Sequence, residues 1–307
     1  MFKKNTKIVK LLGGMGNQMF NYAFGKALEH ETGAKVLFDI SSFKVAKKRI
    51  VGNTGKNKKG VCVRQYEIDI FPNINIELSN KFQSNLVKIS NILKLSKKYK
   101  EKDPFYYNEE ALKNNKYRYF TGYYQNEKYF KSIREQLLHD FELPPLREND
   151  LYNKQLLEEI QSASNPVFIQ VRRDDYIVLG HVLSLDYYKK AVEYIKSHIE
   201  NPTFFVFCAE DPEYIKNEFD IGVEFKLIGE KNKTRETFYE NMRLMKACKH
   251  GILANSSYCW WAAWLNNYKD KIIIAPTPWL NGGDEIIPED WIKIDCKQKN
   301  AETGAAV

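Results

Sequence analysis

The chain has 307 residues, enough for two domains, and 43% of them are apolar, which excludes an intrinsically disordered protein. Its formal net charge is +8, and much of that charge lies in lysine-rich stretches at residues 44–59 and 94–102, which are typical of solvated surface or of contact with anionic partners. No apolar run of transmembrane length and no signal-peptide pattern is present, and the five cysteines form no CxxC pair. We therefore expect a cytoplasmic protein with reduced thiols and no zinc ribbon.

The first half of the chain opens with a β-α-β pattern that favours a parallel sheet. Its predicted strands cover residues 6–12, 35–38 and 117–120, and its predicted helices cover 18–30 and 127–141. Residues 41–103 are irregular apart from short helices. The Leu-Pro-Pro of 143–145 and the polar stretch 147–153 predict a domain boundary, which gives domains at 1–150 and 151–296 and a flexible tail at 297–307.

The second half alternates strands and helices more regularly. Its predicted strands cover residues 167–171, 204–207, 225–228, 251–254 and 272–275. Its predicted helices cover residues 185–198, 211–219, 237–248 and 258–265. This alternation predicts a doubly wound α/β domain, in which ligands bind beyond the carboxyl ends of the strands.

A glycine-rich turn at residues 12–16 lies between the first predicted strand and the first predicted helix. Glycines allow the backbone to approach a ligand closely, and the start of a helix favours negative charge. With Asp39 at the end of the second strand, the turn admits an NAD-type site, but Met19 stands where the third glycine of that motif belongs. A tight turn between strand and helix, with no ligand, is the structural alternative.

Arg172 and Arg173 directly follow the predicted strand 167–171. A guanidinium keeps its charge at any relevant pH and binds phosphate oxygens through two parallel hydrogen bonds. At a strand end of a parallel α/β domain, the pair predicts a diphosphate clamp. The structural alternative is an ion-pair cluster with Asp174 or Asp175, and both interpretations can hold together.

Asn255, Ser256 and Ser257 lie between the predicted strand 251–254 and the predicted helix 258–265. Hydroxyl groups and free N–H groups at the start of a helix form an anion site. Simple N-capping by Asn255 or Ser256 is the alternative. The two tryptophans that follow at 260 and 261 are interpreted as packing residues.

Three long motifs, in order and correctly spaced, resemble those of the bacterial α-1,2-fucosyltransferases of glycosyltransferase family 11. They are GGMGNQMFNYAFGKAL at residues 13–28, QVRRDDY at 170–176 and CKHGILANSSYCWWAAWL at 248–265. The resemblance implies a GT-B-like α/β fold with two Rossmann-type domains facing across a cleft. It also implies inverting transfer of L-fucose from GDP-β-L-fucose to the 2-hydroxyl of a terminal galactose, with no cofactor and no obligatory metal.

The same resemblance implies roles for individual residues. Arg172 would bind the β-phosphate and stabilise the departing GDP, while Arg173 would assist it or brace the loop. The other donor-binding residues it implies are Gln170, Asn241, Asn255, Ser256, Ser257, Gly14 and Gly16. Asn17 and Gln18, from the first domain, would lie near the fucose and the acceptor.

Two positions depart from the family pattern. Gln170 stands where the family has His, and Asn241 stands where it usually has Asp. By similarity to the wider fucosyltransferase superfamily these positions contact guanine, and losing a charge-assisted hydrogen bond there costs about 1–3 kcal/mol. We therefore expect weaker GDP-fucose affinity or a reshaped base pocket, which Asn241→Asp tests through a gain in donor affinity.

The general base stays open between Asp39, at a strand end, and His181, shortly after the arginine motif. A buried structural carboxylate and a surface histidine are the respective alternatives. For the whole chain, the alternative function is a related sugar-nucleotide-binding protein with altered donor specificity or reduced activity.

The expected partners are GDP-fucose and a galactose-terminated oligosaccharide in O-antigen or lipopolysaccharide assembly, with no nucleic acid. The irregular region 41–116 is expected to recognise the acceptor. The basic surface is compatible with peripheral association with the inner membrane, and the oligomeric state stays open.

Overall fold

The computed structural model describes residues 5–43, 64–80, 83 and 97–296. The basic stretch 44–59, Cys62, much of the region expected to recognise the acceptor and the tail 297–307 lie outside the described residues. The chain divides into two compact units, Met1–Asp150 with Glu285–Pro288, and Leu151–Asp284 with Glu289–Val307. The main division therefore falls between residues 150 and 151, just after the Leu-Pro-Pro at 143–145.

The first unit contains a parallel sheet with the strand order β2-β1-β4-β3. Its strands are β1 (Thr6–Lys10), β2 (Lys35–Asp39), β3 (Lys97–Lys100) and β4 (Tyr117–Thr121). Its described helices are α1 (Met15–Thr32), α2 (Glu109–Lys113) and α3 (Arg134–Asp140). The chain order reverses between β1 and β4, so the carboxyl ends of these two strands form the switch point of this sheet.

Helix α1 begins three residues earlier than the sequence pattern predicts, at Met15. Gly14 is its N-cap, and the preceding Gly13 has a φ of +72°, where a side chain is strained. A Cβ on Gly13 would also lie 2.4 Å from Nδ2 of Asn17. The backbone conformation and the contact with Asn17 therefore explain Gly13 without any ligand.

Two predictions for the first unit fail. The single helix predicted at 127–141 is broken into 3₁₀ turns at Glu127–Tyr129 and Lys131–Ile133, followed by α3. Strand β3 lies in a lysine-rich stretch interpreted as plain surface, because an edge strand buries only one of its side chains, Tyr99, and keeps its lysines in solvent.

The second unit contains a parallel sheet with the strand order β10-β9-β8-β5-β6-β7. Its strands are β5 (Asn165–Gln170), β6 (Pro202–Phe207), β7 (Phe225–Ile228), β8 (His250–Ile252), β9 (Ile273–Thr277) and β10 (Ile292–Asp295). Its helices are α4 (Leu151–Ser162), α5 (Asp174–Leu179), α6 (Leu185–His198), α7 (Pro212–Asn217), α8 (Glu240–Ala247) and α9 (Ser257–Trp264). This is the doubly wound order, and it reverses between β5 and β8.

Tyrosine hydroxyls of α6 bind the backbone next to this reversal. Tyr187 donates to the carbonyl of Leu253 over 2.7 Å, and Tyr188 donates to the carbonyl of Gln170 over 3.2 Å. Both rings are buried, so these contacts hold α6 against the ends of β5 and β8. Trp260 and Trp261 are fully buried and their rings meet edge-on, as the packing interpretation predicts.

The α/β class and the two parallel-sheet units are confirmed. Within the described residues, no helix has the length and apolarity needed to cross a membrane. Cys208, Cys248 and Cys259 are buried free thiols, and burial raises the pKa of the Cys259 thiol to about 12.

Candidate active site

The arginine motif follows β5 and carries several ion pairs. Arg172 donates from Nη2 to Asp175 over 3.0 Å and pairs through Nη1 with Glu210, which follows β6. Asp175 is almost fully buried, whereas Glu210 is partly exposed. Asp175 therefore holds the guanidinium in place from the buried side, and Glu210 is its more exposed partner.

Arg173 is held by one carboxylate and one aromatic ring. Its Nε donates to Asp211 over 2.7 Å, and its guanidinium stacks over the ring of Tyr214 at 3.6 Å. Asp211 also caps α7 by accepting from the backbone N–H of Tyr214. The predicted ion pair with Asp175 is formed by Arg172, whereas Arg173 pairs with Asp211, which the sequence analysis did not name. Bracing the loop is the role that the contacts of Arg173 favour.

The turn after β8 combines a cap with a polar side chain that is not fully paired. Ser256 is the N-cap of α9 and accepts from the N–H of Tyr258 over 3.4 Å, so the capping interpretation is correct for this residue. Asn255 caps nothing, and its Nδ2 donates to the carbonyl of His181 over 3.0 Å. Ser257 is the first residue of α9 and is half-buried.

Tyr176 and Asn255 connect the ends of β5 and β8. The Tyr176 hydroxyl donates to the carbonyl of Asn255 over 3.0 Å, and the Arg172 guanidinium lies 5.5 Å from the centre of the Tyr176 ring. The ring of His181 meets the same tyrosine edge-on at 6.0 Å. The structure thus gathers Arg172, His181 and Asn255 around the switch point of the second sheet.

Two buried acceptor atoms at this switch point have no hydrogen-bond partner among the described residues. They are Oε1 of Gln170, at the end of β5, and Oδ1 of Asn255, after β8. Both side chains are buried, and an unpaired buried acceptor costs about 1–3 kcal/mol. A ligand that brings hydroxyl or N–H groups would remove this cost, which fits the donor-binding roles predicted for both residues.

Asn241 lies in the first turn of α8, on the same carboxyl edge but beyond β6, near the end of β7. Its Oδ1 accepts from Nδ2 of Asn232 over 2.8 Å. Asn232 in turn exchanges two amide hydrogen bonds with Asn153 of α4. The sequence did not point to these two partners.

In the first unit, Asn17 lies at the switch point between β1 and β4. Its Oδ1 accepts from Nε2 of Gln125 over 2.6 Å, and Gln125 follows β4. Gly14 and Gly16 lie in the same turn and the first residues of α1. The predicted ligand contacts of all three residues stay predictions, in a position where α/β sheets bind ligands.

The acceptor-side role predicted for Gln18 does not fit its surroundings. Its side chain is fully buried. Its Nε2 donates to the carbonyls of Gly13 and Gln65, and its Oε1 accepts from the N–H of Glu67. With every polar atom engaged, Gln18 fastens the 64–67 segment to α1 and has no atom to offer a sugar.

Asp39 is also better explained as a structural carboxylate than as the base. It is buried and accepts from the Tyr119 hydroxyl and from the N–H of Ser41 over 2.8 Å. Burial acts to raise the pKa of Asp39, but these hydrogen bonds outweigh it and lower the pKa below its usual value. Such a carboxylate accepts a proton poorly, so His181 is the stronger of the two predicted bases.

The pair Glu210 and Asp211 is the main omission of the sequence analysis. It lies three residues after the end of the predicted strand 204–207, and proximity to a strand end is the criterion that singled out the arginines. Among the described residues, no group of three or more His, Cys, Asp or Glu side chains is placed to hold a metal ion.

Comparison with known proteins decides the family. The sequence pattern described as "Glycosyl transferase family 11" matches residues 61–295. The chain belongs to this family. It is therefore a glycosyltransferase, and the interpretation of the glycine-rich turn with Asp39 as the NAD-type site of an oxidoreductase is wrong.

Two relatives from Escherichia coli are similar over nearly their whole length. The Alpha-1,2-colitosyltransferase is 34% identical over 312 residues, covering 94% of this chain and 98% of that protein. The O-antigen biosynthesis glycosyltransferase WbnK is 28% identical over 320 residues, covering 92% of this chain and 99% of that protein.

Solved structures give more distant matches. The fucosyltransferase NodZ from Bradyrhizobium is 12% identical, with a TM-score of 0.47 over 85% of this chain and 92% of that chain. A glycosyl transferase family 9 protein from Veillonella parvula DSM 2008 is also 12% identical, with a TM-score of 0.47 over 97% of this chain and 89% of that chain.

Proposed function

We propose that this family 11 glycosyltransferase moves L-fucose from GDP-β-L-fucose to the 2-hydroxyl of a terminal galactose, with inversion, in a surface glycan such as O-antigen. The observation that carries the proposal is the position of Arg172 and the Asn255–Ser256 turn on the two sides of the switch point of a doubly wound sheet. A diphosphate bound there meets a guanidinium and the start of α9 together.

The leaving group is stabilised first. As the acceptor oxygen attacks the anomeric carbon of fucose, negative charge grows on the departing GDP. Arg172, held by Asp175, is an oriented cation that needs little reorganisation as that charge appears, and such preorganised groups contribute strongly to rate. The proposal therefore assigns charge neutralisation to the protein itself, and an assay without added metal tests that assignment.

The acceptor hydroxyl must also lose its proton. His181 is the proposed base because it lies close to Arg172. Its backbone carbonyl accepts from Asn255 and its ring contacts Tyr176, and both of these residues lie beside Arg172. Asn17, held by Gln125, is the proposed acceptor-side contact from the first unit. Aiming the hydroxyl and accepting its proton are separate contributions to the rate.

Colitose is the second candidate for the transferred sugar. The relative that is 34% identical carries the name Alpha-1,2-colitosyltransferase. Colitose is fucose without its 3-hydroxyl, so the same nucleotide site and the same α-1,2 chemistry serve both sugars. The further alternative is a sugar-nucleotide-binding protein with reduced activity, and measurable turnover would exclude it.

The proposal is tested by GDP release with lactose as acceptor, without metal, from GDP-fucose and from GDP-colitose. We expect turnover with wild type and with Arg147→Ala, an exposed arginine paired only locally. Arg172→Ala should lose about 100-fold or more of kcat/KM, as expected for removal of a charge-stabilising group. NMR of the product should show the α-1,2 linkage.

Two results would contradict the proposal. If Arg172→Ala turns over as fast as wild type, Arg172 is not the phosphate clamp. If the product is linked through a hydroxyl other than the 2-hydroxyl, the proposed α-1,2 linkage is wrong. Faster turnover with GDP-colitose than with GDP-fucose would show that colitose, and not fucose, is the preferred transferred sugar.

A further inference from the structure

A short turn after β4, residues 122–125, has a strained backbone. Tyr124 has a φ of +53°, a left-handed conformation that is costly for a bulky residue and persists only where the surroundings enforce it. Its ring is fully buried and stacks on Phe24 of α1, with 3.7 Å between the ring centres, whereas Tyr123 is exposed. The turn is therefore held in a fixed shape on the carboxyl edge of the first sheet, where solvent and ligands reach it.

Glu101, directly after the neighbouring strand β3, makes the contacts that enforce this shape. Its carboxylate accepts from the N–H of Tyr123 through Oε2 over 2.5 Å and from the N–H of Tyr124 through Oε1 over 2.9 Å. Gly122 allows this approach, because a Cβ there would lie 2.4 Å from the Cβ of Glu101. Both carboxylate oxygens are engaged, so one side chain fastens two successive N–H groups of the turn.

The other contacts of the turn connect it to α1. Asn21 donates from Nδ2 to the carbonyl of Gly122 over 2.8 Å and accepts through Oδ1 from the N–H of Leu12, which follows β1. Gln125, the last residue of the turn, donates from Nε2 to Oδ1 of Asn17 over 2.6 Å. The backbone of the turn therefore sets the position of Gln125, and through it that of Asn17, at the switch point of the first sheet.

The charge of Glu101 is kept at a cost to stability. Burial, reinforced by repulsion from Asp103, raises the pKa of the Glu101 carboxyl to about 7, although the two N–H groups act to lower it. The hydroxyls of Tyr99, Tyr124 and Tyr129 also face it, and their raised pKa values keep them neutral where Glu101 titrates. Between pH 4.5 and about 7 the folded state binds more protons than the unfolded state, so ionisation lowers stability. A carboxylate kept against such a cost is typical of a functional position.

We propose that Glu101 is a positioning residue for acceptor binding in the first unit, an inference that rests on the proposed transfer to a galactose-ended sugar. Its ionised carboxylate holds the turn in its strained shape, and the turn holds Gln125 against Asn17. A protonated carboxyl group places a hydroxyl against one of the two N–H groups, so the turn relaxes and Asn17 loses its support. Glu101 acts on the sugar only through these residues.

Amide NMR of the intact protein tests the contact without any substrate. The N–H signals of Tyr123 and Tyr124 should shift with pH around a midpoint near 7, because the group that accepts from them loses its charge there. Glu101→Gln should abolish that titration. Signals that stay unmoved across this midpoint in wild type would overturn the inference.

Steady-state kinetics with lactose and the sugar nucleotide that wild type uses connect the turn to the acceptor. Above the midpoint, Glu101→Gln should raise the KM for lactose by about tenfold and leave the KM for the sugar nucleotide within about twofold, since only the acceptor contacts are displaced. Gly122→Ala keeps the carboxylate but pushes it away, and should cause the same selective change. The matched control is Glu109→Gln on α2, an exposed carboxylate paired with Lys113, which should leave both KM values unaltered.

The outcomes separate this inference from the proposed function. A folded Glu101→Gln variant with a normal KM for lactose, or with both KM values raised alike as a merely structural role predicts, overturns the inference while wild-type turnover keeps the function. If Glu101→Gln does not fold, the NMR titration of wild type and the kinetics of Gly122→Ala still decide. Absence of lactose-dependent turnover by wild type overturns the proposed acceptor and this inference together.

Discussion

Lys7 and Asp39 lie on neighbouring strands of the first sheet. The folded protein stabilises the charged form of Asp39 and destabilises that of Lys7. Asp39 keeps its charge because the Tyr119 hydroxyl and the Ser41 N–H both donate to it. The Nζ of Lys7 is buried with no hydrogen-bond partner among the described residues and lies 5.4 Å from the centre of the Phe120 ring. Burial, reinforced by repulsion from Arg118, lowers the pKa of Lys7 to about 8.

Lys7 should make stability depend on pH in the alkaline range. The unfolded chain has a lysine pKa near 10.5 and the folded chain one near 8, so between these values the unfolded state binds more protons. Stability therefore rises with pH from about 8 to 10.5. Lys7→Met should remove that rise and add on the order of 2–3 kcal/mol to the free energy of unfolding at pH 7, measured by urea denaturation. A variant less stable than wild type at pH 7 would contradict this account.

Asp39→Asn tests whether this carboxylate is structural. Because its pKa is lowered in the folded state, its contribution to stability is present above the unfolded value of 3.8 and is lost as pH falls through the folded value. The amide should cost about 1–2 kcal/mol at neutral pH, seen as a lower midpoint in urea.

The kinetic part of the same test concerns the general base. At equal amounts of folded protein, Asp39→Asn should leave the pH dependence of kcat unchanged, because the pKa of Asp39 lies well below the neutral range. If Asp39→Asn instead loses most of its turnover and the pH dependence of kcat disappears, Asp39 is the general base and His181 is not.

At the scale of elements, the start of α1 depends on Gly13. An alanine there meets both a positive φ and a contact of 2.4 Å with Nδ2 of Asn17. We expect Gly13→Ala to cost about 1–2 kcal/mol for the backbone, and to displace Asn17 from Gln125 as well, so that turnover falls with stability.

Gly33 is the matched control, at the other end of the same helix. Its φ is +59°, and a Cβ there meets nothing within 4 Å. Gly33→Ala should therefore show a similar loss of stability by thermal unfolding and normal kcat. Equal losses of kcat in the two variants would show that the contact with Asn17 has no functional role.

Elements were predictable where burial imposes a regular pattern. In the second unit, β5 to β9 and α6 to α9 follow their predicted ranges within a few residues, because most of these strands are buried and most of these helices have one apolar face. Helices α4 and α5 and the half-exposed edge strand β10 were not predicted. Strand β3 and the broken helix at 127–141 were not predictable, since an edge strand needs one apolar residue and the break at Phe130 depends on tertiary packing.

The same limit applies to the site. The positions of Arg172, Asn255 and Ser256 after β5 and β8 were predictable from the sequence, because strand ends are recognisable in an α/β pattern. The burial of Gln18, the protonation state of Asp39 and the amide chain through Asn153 and Asn232 depend on residues up to 80 positions apart. Pairings at that separation are set by the fold and leave no local pattern.

At the scale of the whole molecule, each unit contains a parallel sheet with one switch point, and polar side chains lie at each switch point. In the second unit these are Arg172, the Asn255–Ser256 turn and the unpaired Oε1 of Gln170. In the first unit Asn17 and Gln125 hold this position. The central claim is that the nucleotide binds at the switch point of the second unit.

A crystal structure of the protein with GDP tests that claim most directly. We expect the diphosphate between the guanidinium of Arg172 and the first N–H groups of α9, with Glu210 displaced from Arg172 and Asp175 still paired with it. Density for the diphosphate at the glycine-rich turn of residues 13–16, with Arg172 still bound to Glu210, would contradict the account.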